Sequence, residues 1–282
     1  FLVVSVFGND PPNWYIEGLY SIFNVDFIQI ISSFTLIDKI SIVLQTTLLI
    51  GILGTVPGHE LTHRKQNKMD MFIGNWMLAF SWDCTFAIEH VYGHHKDVCL
   101  DEDPASAKRG ENIYFFIFRA SLEEQISGWK LEADRLRKRK LRVLGTHNRM
   151  LIGYSRSLMI TILAFIFGGL IGMFSFLLCA ISAKLFLEAI NYIEHYGLQR
   201  QKLASGRYER VQPHHSWNSN FNIGRITLYE LTRHSDHHYK SSKKYQILNS
   251  YKECPTLPVG YPASILCLLY TSDAADDTPC VD

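Results

Sequence analysis

Three short stretches of the chain gather imidazoles at ligand-like spacing. HELTHRK holds His59 and His63, EHVYGHH holds His90, His94 and His95, and RHSDHH holds His234, His237 and His238. The first reads H-E-x-x-H. On a helix that pattern sets two rings on one face with a glutamate beside them, the arrangement by which zinc proteases activate metal-bound water. A catalytic zinc, however, takes three protein ligands and keeps an open position. Eight clustered histidines, with His195 in NYIEHYGL at the end of a long apolar run, exceed that need. Nine neutral imidazoles suit two intermediate metals, and imidazole takes iron as well as zinc. Zinc has no redox function, so chemistry beyond hydrolysis is expected, with all nine rings as ligands. An i, i+4 pair points two rings the same way, and a doubled histidine lets one turn serve both metals.

A metal-bound imidazole usually donates its other N–H to a carboxylate or carbonyl. Glu60, Glu89, Asp101, Asp103, Glu194 and Asp236 lie close enough in sequence to be such partners. In LEAINYIEHYG, Glu188, Asn191 and His195 fall at i, i+3 and i+7 on one helical face, which adds Glu188 and Asn191. The competing reading of Glu188 is a snorkelling or internally paired carboxylate. His214 and His215 in QPHHSWNSN are read as ordering the loop before the last cluster, and His147 as a surface residue.

The elements that must bring these rings together are apolar. From Ser157 to Ala183 there is no Asp, Glu, Lys or Arg over 27 residues, and a spanning helix needs about 20. The chain therefore reads as an all-α integral membrane protein, a multi-span helical bundle. Residues 151–193 are too many for one crossing and carry Gly168-Gly169 near the middle, so a helical hairpin is expected. Residues 41–56 form a second apolar segment, and 22–37 a weaker one interrupted by Asp26. Residues 71–88 are apolar but contain Asn75 and Asp83. Because His59 and His90 must meet on one face, that segment has to turn back or lie at the interface, with its polar residues toward protein. Residues 129–150 carry eight Lys or Arg against two acids, which marks the cytoplasmic side. The hairpin would return His195 to that side.

Composition closes off other classes. A net charge of +1 and no basic stretch interleaved with aromatics argue against nucleic acid. The six cysteines form no C-x-x-C pair, and no G-x-G-x-x-G nucleotide fingerprint occurs, so electrons must come from another protein. A start at Phe1 suggests a fragment, and YTSDAADDTPCVD, residues 270–282, reads as a non-native tail. That leaves residues 1–269 as one membrane-embedded domain.

The pattern H-x-x-x-H, H-x-x-x-H-H, H-x-x-H-H resembles the integral-membrane di-iron superfamily of fatty-acid desaturases and hydroxylases. HELTHRK, EHVYGHH followed by DEDPASAKRGE, NYIEHYGLQR, HHSWNSN, RHSDHH and LPVGYP are similar to the membrane alkane 1-monooxygenases, over residues 54–269. Desaturases usually carry H-x-x-H-H in the second box. Thr232 stands where many members have glutamine. The resemblance implies about six spans, only partly represented here, and two non-haem irons. It implies O₂-dependent hydroxylation of a terminal methyl on an alkane or other fatty chain. It also implies a rubredoxin-type donor with its NAD(P)H-dependent reductase, docking on the cytoplasmic face of a bacterial inner membrane or its equivalent. A desaturase, a hydroxylase of fatty acids or methyl-aromatics, an intramembrane zinc protease and a non-catalytic metal-binding membrane protein remain the alternatives.

Overall fold

The computed structural model describes residues 2–8 and 12–271. Among them no β-strand forms; isolated bridges join Lys202 to Tyr208 and Asn218 to Thr256. In chain order the helices are α1 (Leu2–Phe7), α2 (Asn13–Phe23), α3 (Phe27–Ser32) and α4 (Leu36–His63). They continue with α5 (Lys68–Ala79), α6 (Phe86–Glu89), α7 (Ile113–Lys138), α8 (Arg149–His195), α9 (Asn222–Thr227), α10 (His234–Tyr239) and α11 (Tyr261–Thr271). The expected tail lies outside the described residues from 272 onward.

Two helices, α4 and α8, are long and apolar enough to cross a bilayer. α4 starts at a capping box in which Thr35 and Asp38 satisfy each other's backbone N–H groups. It runs past the expected 41–56 and carries the first histidine box inside the same helix. The weaker segment at 22–37 is no span. Asp26 caps the short α3, and a turn follows before α4 begins.

α8 is a hairpin. Gly169 breaks it at φ 61°, ψ −161°, a region open essentially to glycine alone. The neighbouring residues Asp83 and Cys84 touch Lys184 and Ser157, at 3.1 Å each. In a straight helix those two contacts would be roughly 40 Å apart, so the two arms lie side by side. The first arm starts at Arg149, which lies 5.5 Å over the ring of Tyr92 in the second histidine box, and the second arm ends at His195, one of the clustered histidines.

α5 turns back, as the placement of His59 and His90 requires. It approaches α4 closely enough that a Cβ on Gly74 would sit 3.0 Å from the Gly58 carbonyl oxygen. A turn at 80–85, with Trp82 at φ 55°, then reverses the chain into α6. Asp83 is fully buried, as expected, and Asn75 donates to the Met71 carbonyl at 2.7 Å. The basic run forms the C-terminal turns of α7 and the loop after it. Glu132, buried on α7, is gripped by Arg135 and by Arg149 at the start of α8.

Candidate metal centre

Two π-helical turns set the aim of the histidines. One, Ile50–Thr55, interrupts α4 just before His59; the other, His90–His94, extends α6. Single π turns inside α-helices recur at functional sites because the i→i+5 step rotates the succeeding residues about the helix axis. Here the step matters directly. His90 and His95, five residues apart, come together with Nε2 atoms at 3.1 Å, while His94 points elsewhere. An unbroken α-helix would have paired His90 with His94.

The nine rings sort into two groups. His59, His63, His90, His95 and His237 form one, and His94, His195, His234 and His238 the other. Within each, the ligand atoms lie within 4.8 Å of one another. The groups adjoin, with the His95 and His238 rings stacked at 4.3 Å between centroids. α4 supplies both of its rings to the first group. The last box is divided: His237 enters the first group, and His234 and His238, at i, i+4 on α10, enter the second.

The donor set fits metal ions. In the first group, Nε2 of His59 is 3.0 Å from Nε2 of both His63 and His237, and Nε2 of His95 is 3.1 Å from those of His90 and His237. For a metal–nitrogen bond of about 2.1 Å, two ligands at right angles lie about 3.0 Å apart. Five imidazoles with one proton each leave lone pairs opposed across that small space, which a cation relieves. In the second group His195 and His234 have Nε2 atoms 3.1 Å apart, and the buried Nε2 atoms of His94 and His238 have no hydrogen-bond partner among the described residues. Burial, with the charge of the neighbouring rings, holds His90, His95, His237 and His238 well below the ordinary imidazole value. They stay neutral and present lone pairs.

The expected supporting carboxylates divide. Asp103 meets His94 Nδ1 at 2.9 Å and takes the Ser106 hydroxyl at 2.6 Å. Burial pushes its carboxyl up, but His94 and Ser106 outweigh this and hold it below the usual range. Glu194 lies 3.2 Å from His234 Nε2 and accepts the Tyr261 hydroxyl at 2.9 Å. Asp236 accepts from Lys243, Tyr251 and the Asn249 N–H, so it fixes the loop after α10.

Like Asp236, five further candidates, Glu60, Glu89, Asp101, Glu188 and Asn191, are occupied elsewhere. Glu60 accepts from Arg64 at 2.6 Å, its i, i+4 neighbour, and meets no imidazole. Asp101 is on the surface, 3.4 Å from Lys108. Glu188 pairs with Lys184 and accepts from Asn191 at 3.0 Å. Lys184 also binds Asp83 and Glu124, so the glutamate in the apolar helix belongs to a buried ion cluster. Glu89 accepts from Ser127 at 3.2 Å beneath Gly93, and burial together with Asp103 raises it to about 8.

His215 is a supporting residue of another kind. Its carbonyl faces His195 Nδ1 at 3.3 Å, while its ring bridges the Gln212 N–H and Glu209. His214 and His147 are exposed. Asn218, from HHSWNSN, exchanges two hydrogen bonds with Ser235 and so seats the start of α10. Phe86 stacks on His90 at 4.3 Å, with the planes 11° apart. Neither Phe86 nor Tyr261 stands out by spacing; Tyr261 is marked only by its place in LPVGYP.

Fold and centre together define an all-helical protein with two helices long and apolar enough to cross a membrane and two adjoining groups of histidines that could each hold a metal ion. The fatty acid desaturase family profile matches residues 40–258, and the chain belongs to that family. It is 40% identical over 234 residues to alkane 1-monooxygenase 1 of Pseudomonas aeruginosa, covering 83% of this chain and 61% of that protein. To alkane 1-monooxygenase 2 of the same organism it is 36% identical over 234 residues, covering 83% and 62%. To the alkane 1-monooxygenase of Ectopseudomonas oleovorans it is 40% identical over 213 residues, covering 74% and 52%. The chain thus spans about three fifths of the first two relatives.

Proposed function

We propose that this chain is the metal-bearing part of a non-haem di-iron monooxygenase that hydroxylates the terminal methyl of medium- or long-chain n-alkanes. The observation that carries the reading is a small cavity where the two groups of rings adjoin. His59 and His90 of the first group and His234 of the second meet Val56, Phe86, Leu187 and further leucine and isoleucine side chains there, with Thr55, Asn191 and Glu194 at its polar side, around about 20 Å³. That space holds one water-sized group. An apolar chain reaching it could place only its end beside the imidazoles, which favours attack at the terminal carbon. The three relatives, all alkane 1-monooxygenases, support the same substrate class.

His59, His63, His90, His95 and His237 would hold one iron and His94, His195, His234 and His238 the other. Two bound irons would supply reductive O₂ chemistry, in which two electrons and two protons accompany entry of one oxygen atom into C–H while the other leaves as water. The protein's own share is to keep the imidazoles of His90, His95, His237 and His238 neutral by burial, to orient His94 through Asp103 and His195 through the His215 carbonyl, and to exclude water with apolar side chains. Electrons would arrive at the open side. A cleft of about 630 Å³ beside His63 is lined by Arg64, Lys65, Lys243 and Lys244 against Glu60 and Asp70, which suits an acidic rubredoxin-type donor. We place this face on the cytoplasmic side, because the Lys- and Arg-rich end of α7 shares it.

The test is product analysis by gas chromatography on membranes holding the protein, fed n-alkanes of graded length with rubredoxin, reductase and NAD(P)H. A 1-alkanol and about two irons per chain are expected, with His195→Ala losing iron from the second group. One zinc per chain, with peptide hydrolysis abolished by Glu60→Gln, would overturn the reading. Oxidation of toluene alone would move the substrate class to methyl-aromatics.

A further inference from the structure

Beside the centre, and separate from it, a cavity of about 310 Å³ opens between the α4–α5 loop, α5, α6 and the first arm of α8. Its lining includes four cations, Lys65, Lys68, Arg149 and Arg156, and no carboxylate. Arg149 is already bound to Glu132. Lys65 lies 4.3 Å over the Tyr92 ring and Arg156 5.9 Å over Trp76, and among the described residues no carboxylate is in ion-pair distance of Lys65, Lys68 or Arg156. The rest of the wall is Met71, Phe72, Ile88 and Ile152 with smaller groups. Phe72 is 55% exposed on the outer side of α5, so the apolar wall runs out onto a surface that faces hydrocarbon in a bilayer.

Arg156 is the informative residue. It sits seven residues into a spanning helix, roughly 10 Å beyond Arg149 along the axis. A cation at that depth is costly unless it reaches a partner. Its guanidinium lies over the Trp76 ring of α5 and lines the same cavity as the two lysines. Three unmatched cations over an apolar wall form a site for an anion that carries acyl chains. Basic pockets between transmembrane helices take phospholipid headgroups in this way. A free phosphate would leave the Met71, Phe72 and Ile152 wall unused.

We propose that this pocket binds the headgroup of an anionic phospholipid, its acyl chains lying along α5 and the first arm of α8. The inference rests on the membrane reading of α4 and α8 and is independent of the reaction at the metals. A lipid here would bridge α5 to α8 directly behind α6, which carries His90, and so stiffen the shell that holds the second histidine box.

The experiment is native mass spectrometry of the detergent-purified full chain titrated with dioleoyl phosphatidylglycerol, dioleoyl phosphatidylcholine or inorganic phosphate. Preferential retention of phosphatidylglycerol is expected. Lys68→Gln should weaken it roughly fivefold, and Lys68→Gln with Arg156→Gln about 25-fold, at unchanged metal content. Equal retention of both lipids, or unchanged retention in the variants, would overturn the proposal, as would full displacement of phosphatidylglycerol by phosphate. If the double variant does not purify as a monodisperse protein, the single change at exposed Lys68 decides. Lipid retention without alkane oxidation would instead count against the proposed reaction alone.

Discussion

At the scale of single residues, Asp103 and Glu60 make opposite predictions from similar positions. Both are acids next to histidine boxes, but Asp103 is buried on His94 Nδ1 while Glu60 is committed to Arg64. Supporting carboxylates of ligating histidines typically alter metal affinity 10- to 100-fold. Asp103→Asn should therefore weaken metal retention within that range, measured by competition with a chelator. Glu60→Gln removes a partly exposed i, i+4 pair, worth about 1 kcal/mol at most, and should leave metal retention unchanged. Comparable losses in both variants would mean that Glu60 turns to an imidazole in the loaded protein. The glutamate that makes HELTH look like a protease motif is, in this fold, an arginine partner.

At the scale of elements, the α8 hairpin and its tie to α7 are the parts most open to test. Gly169 holds a backbone conformation that costs a residue with a side chain about 1–3 kcal/mol, although nothing crowds its Cβ position. Gly169→Ala should lower the thermal midpoint in detergent by a corresponding amount without altering metal content; no change would argue against the bend. Glu132 tests the other end. Although its burial alone would raise the carboxyl, hydrogen bonds from Arg135 and Arg149 lower it to about 2. Because the folded value is depressed, the stabilisation is complete above the ordinary carboxylate value near 4.5. It is lost as pH falls from there through about 2. The stability difference between wild type and Glu132→Gln should be constant above about pH 5 and shrink below it. A difference that grows on acidification would mean the carboxylate is not held by the arginines.

At the scale of the whole molecule, the proposed reaction requires one face to serve all nine histidines and the proposed electron donor. Both ends of α8 lie at that face; Ser205 follows the end of α8, and Lys138 is the last residue of α7. Single cysteines at these two positions, in a background without the native ones, should react with a membrane-impermeant thiol reagent from the same side. Labelling from opposite sides would break the hairpin and with it the placement of His195. In the proposed reaction a common face has a physical reason: a soluble donor could then reach the histidine groups without any charge entering hydrocarbon, where ionisable groups are costly.

The gathering of nine histidines, the all-helical class with long apolar helices and the hairpin were legible in the chain, because each rests on local information. Imidazole spacing, uncharged length and a glycine pair inside an apolar run can all be read from neighbouring residues. The turning back of residues 71–88 was also accessible, since two histidine boxes had to meet. What only the tertiary structure decided is the allocation of the histidines to two groups and of the carboxylates to partners. Sequence spacing pairs His90 with His94 by the α-helical period, and only the π turn, set by packing, replaces that pair with His90 and His95. Glu188 reads as a partner of the site until Lys184, Asp83 and Glu124 come together from three separate segments. Long-range contacts of that kind, like the carbonyl that His215 turns toward His195, leave no periodic trace in the chain, since they depend on which segments the fold brings side by side.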